Sequence, residues 1–573
     1  MAKTPSIVLG ISLGHGDSSA ALVVNGRLVA AAEEERYTRI KHYALFPGQS
    51  IAHCLKHAGV APEDVDTVAV ARRPLSNWWA RAKFVTAHPG YLGRRGSPRS
   101  EEPPLKRLLR LAGLRRARIR PVEHHLAHML SVRYLLPDQP MALLSLDGMG
   151  DFVSAAFGKA DGRKVHVLDR IHFPHSVGYF YTAMTHYLGF LQYGEEYKVM
   201  GLSSYGKPRF IDALRELLRT KDGFRVELNL EAFPIVKTPI RFAIEKAQPK
   251  IEPFFSPSFL TQIIGVPPRK PRQPLTAVHW DLAKSVQMRF EEVANYLLTH
   301  IYDTVGIDTI GLAGGCAHNS VWVGKIPKQT SFRRVLVAPA SHDAGIAVGA
   351  AIASVPSPVA PETGHWALLG PASEAAESGE PVGGESFPTD AKLIEWLVHE
   401  LNEGKVIGLF QGRMEFGPRA LGSRSILADP RAASMRERLN TRVKHRETFR
   451  PFAASVQAEH QSRWFKDVFD CHAMEGVFEV RENVRSQIAA VVHVDNSCRI
   501  QTVRRETQPF FWELLDAFRK LTGVPMLINT SFNDNEPIVC TVDDAIRCFQ
   551  RSDLDHLVIG LKVFSKSTAR LTA

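Results

Sequence analysis

Residues 121–151, PVEHHLAHMLSVRYLLPDQPMALLSLDGMGD, decide how the chain is read. His124 and His128 are four apart in a segment patterned as helix, with apolar Leu126, Met129, Leu130 and Val132 and no proline until Pro137. Residues four apart share a helical face, so both imidazoles can reach one ion, as in HExxH zinc sites. An apolar strand, Met141 to Leu146, follows, then Asp147-Gly-Met-Gly-Asp151. A strand ending in an acid and two glycines brings carboxylate and backbone close to a phosphate or its metal. Two His with one or more Asp suggest an N/O site for iron, zinc or manganese. The alternative is one capping His and one buried His.

Outward from this stretch, the same plan recurs. Residues 7–32 read strand, loop, strand, turn, strand (IVLGIS, LGHGDSS, AALVV, NGR, LVAAA), and residues 141–170 repeat it. Asn25-Gly26 is a two-residue hairpin signal. Each copy has a Gly-rich loop ending in Asp, Asp17 in one and Asp151 in the other. A repeat of more than a hundred residues predicts two related lobes with a ligand between their loops, the plan of the actin-like ATPase fold. Phe46–Gly59 reads as a helix with a Gly stop. In Tyr197-Lys198-Val-Met-Gly201, Lys198 faces a phosphate or is a surface lysine in a turn. After an amphipathic helix over 278–305, Gly314-Gly315-Cys-Ala-His-Asn319 follows a strand, a place for phosphate or adenosine to meet backbone N–H groups. Asp343, at the next strand-to-helix junction, is either a metal oxygen or a helix N-cap.

The totals bound the class. A chain of 573 residues exceeds one core, so two to four domains are expected. With 45% hydrophobic and 23% charged residues it reads as globular, and no run of 18 apolar residues offers a membrane span. The N-terminus has no signal-peptide pattern, and six scattered cysteines form no CxxC pair, against a zinc ribbon or a disulfide framework. A cytoplasmic enzyme is the simplest fit. A net charge of +12 asks for anionic partners. Residues 72–120 are rich in Arg and Lys, including Arg94, Arg95 and Arg99, with Trp78, Trp79 and Tyr91 among them. This fits a nucleic-acid surface, a solvated insertion or a surface for a phosphorylated small molecule. Pro98, Pro103 and Pro104 break any long recognition helix, so the segment is expected to serve the acceptor side or assembly, with tRNA affinity lost by physiological salt.

Residues 1–354 are read as one domain, 355–388, rich in Pro, Gly, Ser and Glu, as a linker, and 389–573 as a second module. That module places Arg419 and Arg424 beside glycines, then Lys444-His-Arg446 and Arg450, and ends a strand in Thr530-Ser531-Phe-Asn533. Arginines beside glycines suggest clamps for a small, highly charged phosphate compound; ordinary surface salt bridging is the other reading.

Taken together, AAAEEERYTRIKH, VEHHLAHMLS, LDGMGD, EYKVMGLSSYGKP, LAGGCAHNS, PASHDAGIAVGAA, GRMEFGPRALGSRSILADPR, VKHRETFRPFA and INTSFN resemble, in order and number, the NodU/CmcH family of O-carbamoyltransferases, which includes the tobramycin carbamoyltransferase. The resemblance implies an α/β chain: an actin-like domain similar to the tRNA threonylcarbamoyl transferases, joined to a YrdC-like domain whose KxR and SxN signatures match Lys444–Arg446 and Ser531–Asn533. It implies that carbamoyl phosphate and ATP, with Mg2+, give carbamoyl adenylate and pyrophosphate in the second domain, with Lys444 and Arg446 catalytic and Arg419, Arg424, Arg450, Arg499, Thr530, Ser531 and Asn533 binding substrate. The first domain would pass the carbamoyl group to a hydroxyl on a sugar, antibiotic or other secondary metabolite. His124, His128, Asp147 and Asp343 would hold iron(II), and Lys198, Gly201, Gly314, Gly315 and Asn319 the nucleotide. A second copy of the chain in a homodimer is a further partner.

One departure matters. Members often read His-Asp in the first loop, whereas here a glycine intervenes: Gly14-His15-Gly16-Asp17. Asp17 keeps its register and is the firmer catalytic candidate; His15 is displaced by one. The runner-up activity is threonylcarbamoyl transfer to tRNA. Hydrogenase-maturation carbamoyltransferases need an acylphosphatase region and CxxC fingers, and an actin-like ATP switch needs no arginine clamp.

Overall fold

The computed structural model describes residues 6–91, 103–162, 164–361, 365–372 and 384–566. Arg94, Arg95 and Arg99 of the basic segment lie outside them. The chain divides into two compact units, Met1–Glu35 with Ile40–Gly364, and Arg36–Arg39 with His365–Ala573.

In the first unit, β1 (Ile7–Ser12), β2 (Ser19–Val24) and β3 (Arg27–Glu33) form an antiparallel meander, extended in parallel on the other side of β1 by β4 (Thr67–Val70) and β5 (Arg118–Pro121). Asn25 and Gly26 both have positive φ, 51° and 84°, the geometry that the Asn-Gly pair predicts. β6 (Met141–Gly150), β7 (Val153–Asp161) and β8 (Lys164–His172) repeat the meander, extended by β9 (Thr309–Ala313) and β10 (Arg334–Val337). Both sheets have the order third, second, first, fourth, fifth. The internal repeat is therefore a duplication of topology, the two-lobed plan expected of an actin-like domain.

The first strands of both copies are buried along their apolar length. Between the lobes runs α5 (Ile346–Ala353), IAVGAAIA, fully buried apart from its last residue. Its small residues let backbones close up: a Cβ on Gly349 would overlap the Ala127 carbonyl of α1 (His124–Arg133), and one on Gly10 of β1 would overlap that of Ala347. The helix expected over 278–305 is α4 (Ala277–Val305), begun by Thr276 and stopped by Gly306 at φ 67°.

Two local expectations change. Asp147 to Gly150 belong to β6 rather than to a loop, because Gly150 pairs with Val153 across a register shift after Leu146; Asp147 thus sits on a bulged strand, a device that re-aims a side chain. Lys198 lies in a short helix, α3 (Glu196–Leu202), rather than a turn, and α2 (Val177–Tyr187) precedes it.

The second unit is built on a nine-stranded mixed sheet. Its centre runs Ile407–Phe410, Arg424–Ala428, Met526–Ser531, Ala453–Gln457, Ser497–Val503, antiparallel except for the last pair. Helices Asp390–Asn402 and Pro509–Thr522 pack against one another over the same apolar core. Within the stretch read as a linker, Trp366 and Ala367 are buried in this unit, Ala367 beside Leu421 and Ala453. Arg36 and Arg39 also belong to it, donating to the carbonyls of Gly417, Pro537 and Ile538. Among the described residues no helix is long and apolar enough to cross a membrane.

Candidate functional site

α1 places His124 and His128 one turn apart, and the bulge in β6 aims Asp147 at them. His124 Nε2 lies 3.1 Å from His128 Nε2 and 3.1 Å from Asp147 Oδ2, and His128 Nε2 lies 3.4 Å from Asp147 Oδ2. Asp343, from the loop after β10, completes the group: its Oδ1 is 3.6 Å from His124 Nε2 and 3.5 Å from His128 Nε2. Ligand atoms about 2.1 Å from a shared ion stand about 3.0–3.4 Å apart in octahedral or tetrahedral arrangements. The two histidines and Asp147 fall within that spacing and Asp343 stands 0.1–0.2 Å beyond it, so the four side chains fit one divalent transition metal with a small closure of Asp343. Two further observations agree. Asp343 Oδ1 is buried and makes no hydrogen bond among the described residues. Asp147 is oriented as a ligand: the N–H groups of Gly148 and Gly315 both donate to its Oδ1, at 2.8 and 3.1 Å, leaving Oδ2 for the histidines.

The surrounding structure fixes the first two ligands as well. Glu123 caps α1 through Leu126 N–H, and Asp151 accepts from the His124 N–H. A Cβ on Gly150 would overlap the His124 ring, so glycine there is a packing requirement. Burial opposes ionisation of Asp147 and Asp343, yet the facing imidazoles hold both carboxyls well below the usual range, and the same pairing lifts His128 to about 9. His128 is fully buried. The site is thus a preformed concentration of negative charge and N/O donors.

A second group adjoins it. His15 Nδ1 is 2.9 Å from Asp343 Oδ2, so the displaced histidine of the first loop steadies a candidate ligand. Asp17, buried and at φ 64°, takes His42 Nδ1 on its Oδ1 at 2.8 Å, while His42 N–H donates to Glu35 at 2.7 Å. His342 Nε2 stands 4.0 Å from Asp17 Oδ2 and 3.2 Å from Glu33 Oε1. Tyr193 meets the His42 ring edge-on, its centroid 5.2 Å away.

The Asp17–His42 pair has a measurable consequence. Burial alone would lower the His42 pKa, but the Asp17 carboxylate, with Glu35 behind it, outweighs Lys41 and burial and raises it to about 9. A pKa raised by folding stabilises the fold fully below about pH 6.5 and loses that contribution as pH rises through about 9. Wild-type thermal stability should accordingly decline relative to a His42→Gln variant across that window; a constant difference from about pH 6 to about pH 10 would contradict the pairing.

In the second unit, Arg499 is the focus. Its guanidinium makes no hydrogen bond with a described residue, and its Nε is buried. Burial and the nearby guanidiniums of Arg419, Arg446 and Arg450 push it well below its usual range. Three cations within electrostatic reach of an unpartnered fourth are an arrangement suited to an anion. Lys444, nearly fully buried, donates to the Ser531 carbonyl and, at 2.8 Å, to both the Asn533 carbonyl and its Oδ1. It ties the KxR and SxN segments together. Ser531 Oγ donates to Asn533 Oδ1 at 2.7 Å, and Thr530 precedes it on the same strand.

The remaining sequence candidates are placed differently. Arg424 is fully buried, stacked on Phe410 and donating to the carbonyls of Gln411, Gly412, Ser423 and Pro371. Lys198 pairs with Glu195 at 2.7 Å and lies over Phe190; Gly201 is inside α3. Gly314, at φ 90°, brings its N–H to the Ser341 carbonyl. The Asn319 amide is taken up by Gln287 and by capping Trp322 N–H. Sequence reasoning missed Glu33, Glu35, His42 and Tyr193. A usable signal was present for the two acids: Glu33, Glu34 and Glu35 follow a strand with no break, and all three are buried, an arrangement that carboxylates adopt only with partners.

A two-lobed α/β domain with an N/O metal-binding geometry, joined to a module that gathers arginines, outlines a group-transfer enzyme. The chain belongs to the NodU/CmcH carbamoyltransferase family: residues 7–352 match the carbamoyltransferase N-terminus and residues 398–566 the carbamoyltransferase C-terminus. It is 36% identical to nodulation protein NolNO of Sinorhizobium fredii over 96% of this chain and 79% of that protein. It is 34% identical to the 3′-hydroxymethylcephem-O-carbamoyltransferase of Streptomyces clavuligerus over 44% of this chain and 47% of that one. Among solved structures, T. kodakarensis HypF aligns with 61% of this chain and 48% of its own at 13% identity and a TM-score of 0.32, too low to carry an argument. The protein is a carbamoyltransferase.

Proposed function

We propose that the enzyme is an ATP-dependent O-carbamoyltransferase that works in two steps. In the second unit, which resembles YrdC, water cleaves carbamoyl phosphate to carbamate and phosphate, and the carbamate oxygen attacks the α-phosphorus of ATP, with Mg2+, to give carbamoyl adenylate and release pyrophosphate. The observation that carries this reading is the unpartnered Arg499 among Arg419, Arg446 and Arg450. Their charges neutralise the phosphates; Lys444 holds the 531–533 turn, where Thr530, Ser531 and Asn533 orient the carbamoyl group. Arg446 contributes to both, and Arg424, from its buried position, shapes the floor.

In the first unit, His124, His128, Asp147 and Asp343 would hold the metal, read as iron(II) from the family resemblance. When bound it supplies a Lewis acid for a phosphoryl or carbonyl oxygen. His15 keeps Asp343 in place. Asp17 Oδ2, which makes no hydrogen bond among the described residues, accepts the proton of the attacking hydroxyl. Gly314 and Gly315 offer backbone to the nucleotide, with Asn319, Lys198 and Gly201 shaping its surroundings. A hydroxyl-bearing small molecule is the acceptor, and the cephem relative supports that class. Incubation with carbamoyl phosphate, ATP, Fe(II) and a panel of sugars and 3′-hydroxymethylcephem should yield a product heavier by one carbamoyl group, with AMP and product in equal amounts. Product formed without ATP, or with ADP in place of AMP, would refute the adenylate route.

A further inference from the structure

The glycine that separates His15 from Asp17 has a partner. A Cβ on Gly16 would lie 2.6 Å from Tyr193 Cε1, 2.7 Å from its Oη and 2.8 Å from Cζ. The φ of Gly16 is not positive, so the backbone would accept alanine; what requires glycine is the phenol resting on the loop. Tyr193 is held on its other side by the His42 ring, and His42 in turn lies close to Gly194, where a Cβ would fall 2.8 Å from His42 Nε2. The ring is therefore positioned on both sides.

Its hydroxyl is not used by the fold. Among the described residues the Tyr193 Oη makes no hydrogen bond, although Asp17, Asp147, Asp343 and Glu196 all lie within electrostatic reach. Each of those carboxylates has other partners: Asp17 has His42, Asp147 has Gly148 and Gly315, Asp343 has His15, and Glu196 has Thr182 at 2.6 Å. Burial, then this acidic surrounding, pushes the phenol well above its ordinary pKa, and the ordinary value of about 10 already leaves a tyrosine protonated at neutral pH. A hydrogen-bond donor that keeps its proton, is fixed by packing and has no protein acceptor suits an oxygen that gains negative charge during reaction.

We propose that Tyr193 is a catalytic residue whose hydroxyl donates to the carbonyl oxygen of the transferred carbamoyl group. This rests on the two-step reading above. The acceptor oxygen bonds to the carbamoyl carbon; the C=O π pair moves onto the carbonyl oxygen, which the Tyr193 O–H stabilises; the hydroxyl proton goes to Asp17. Collapse re-forms C=O and breaks the carbon–oxygen bond to the phosphate, releasing AMP. The inserted glycine of the first loop is then the residue that admits this donor.

The test needs no identified acceptor, because water can take the hydroxyl's place. With ATP, carbamoyl phosphate and Fe(II), AMP release reports the addition step, and carbamoyl-phosphate-dependent pyrophosphate exchange reports adenylate formation. Tyr193→Phe, which keeps the ring, should lower kcat for AMP release about 10²–10³-fold and leave exchange and metal content unchanged. Gly16→Ala should cause a comparable loss in the wild-type background and no further loss in a Tyr193→Ala background, the signature of one shared interaction. Unchanged AMP release in Tyr193→Phe, or an equal cost of Gly16→Ala in both backgrounds, would overturn the proposal. A rise in the KM of an added alcohol with hydrolysis untouched would also overturn it, assigning the phenol to acceptor binding. Absence of exchange in the wild type would instead sink the two-step reading.

Discussion

His128→Ala should leave the protein with little bound transition metal and a transfer rate lower by two orders of magnitude or more, while adenylate formation continues. The reason is geometric. His128 Nε2 stands 3.1, 3.4 and 3.5 Å from the other three candidate donor atoms, so in the proposed coordination set it is one of four ligands rather than a neighbour of them. Losing a partner that merely orients a ligand typically costs about 10–100-fold in metal affinity or activity, and losing a ligand exceeds that. Truncation also leaves Asp147 and Asp343 facing each other with less positive charge to separate them, which weakens the site further. Because His128 is fully buried, His128→Gln serves as a variant closer in volume and should behave likewise. Metal measured on the purified proteins by elemental analysis decides the matter; full occupancy in both variants would remove His128 from the ligand set.

Lys444→Ala is expected to abolish carbamoyl-phosphate-dependent adenylate formation and to spare the metal. Its ammonium joins the Ser531 and Asn533 carbonyls and the Asn533 side chain, so its removal unties the 531–533 turn and takes away a cation. A hydrogen bond to a charged group contributes about 1.5–3 kcal/mol, and about 3 kcal/mol corresponds to roughly a 150-fold loss. Metal content equal to wild type shows that the first unit is intact, and transfer from supplied carbamoyl adenylate should persist. If His128→Ala and Lys444→Ala both lose the same step, two separate sites are ruled out.

Much of this arrangement was legible in the residues themselves. The paired histidines four apart and the recurrence of the 7–32 pattern at 141–170 are periodic or local features and appear in the structure where their periods place them; the strand before Asp147 is there too, but runs on to Gly150. Features set by long-range packing were not legible. Asp343 could be read from its own residues only as a metal oxygen or a helix N-cap, because it joins His124 and His128 from more than 200 positions away in sequence, and only topology brings β10 beside β9, which pairs with β6. Asn319 looks like a ligand-facing amide in sequence, yet its amide is taken up by Gln287 and by the start of the next helical turn. Arg424 sits in an arginine-rich run, and nothing local tells that it is buried against Phe410. The glycine between His15 and Asp17 was visible as an irregularity; its cause, the Tyr193 ring, is 177 residues further along the chain.

The most direct test of the central claim is isotope exchange between labelled pyrophosphate and ATP. Two chemical steps in two units require that the first be reversible and independent of any acceptor. Exchange should appear only when carbamoyl phosphate is present, persist in His128→Ala and vanish in Lys444→Ala. Exchange that needs bicarbonate and threonine in place of carbamoyl phosphate, or label that never enters ATP, would contradict the account.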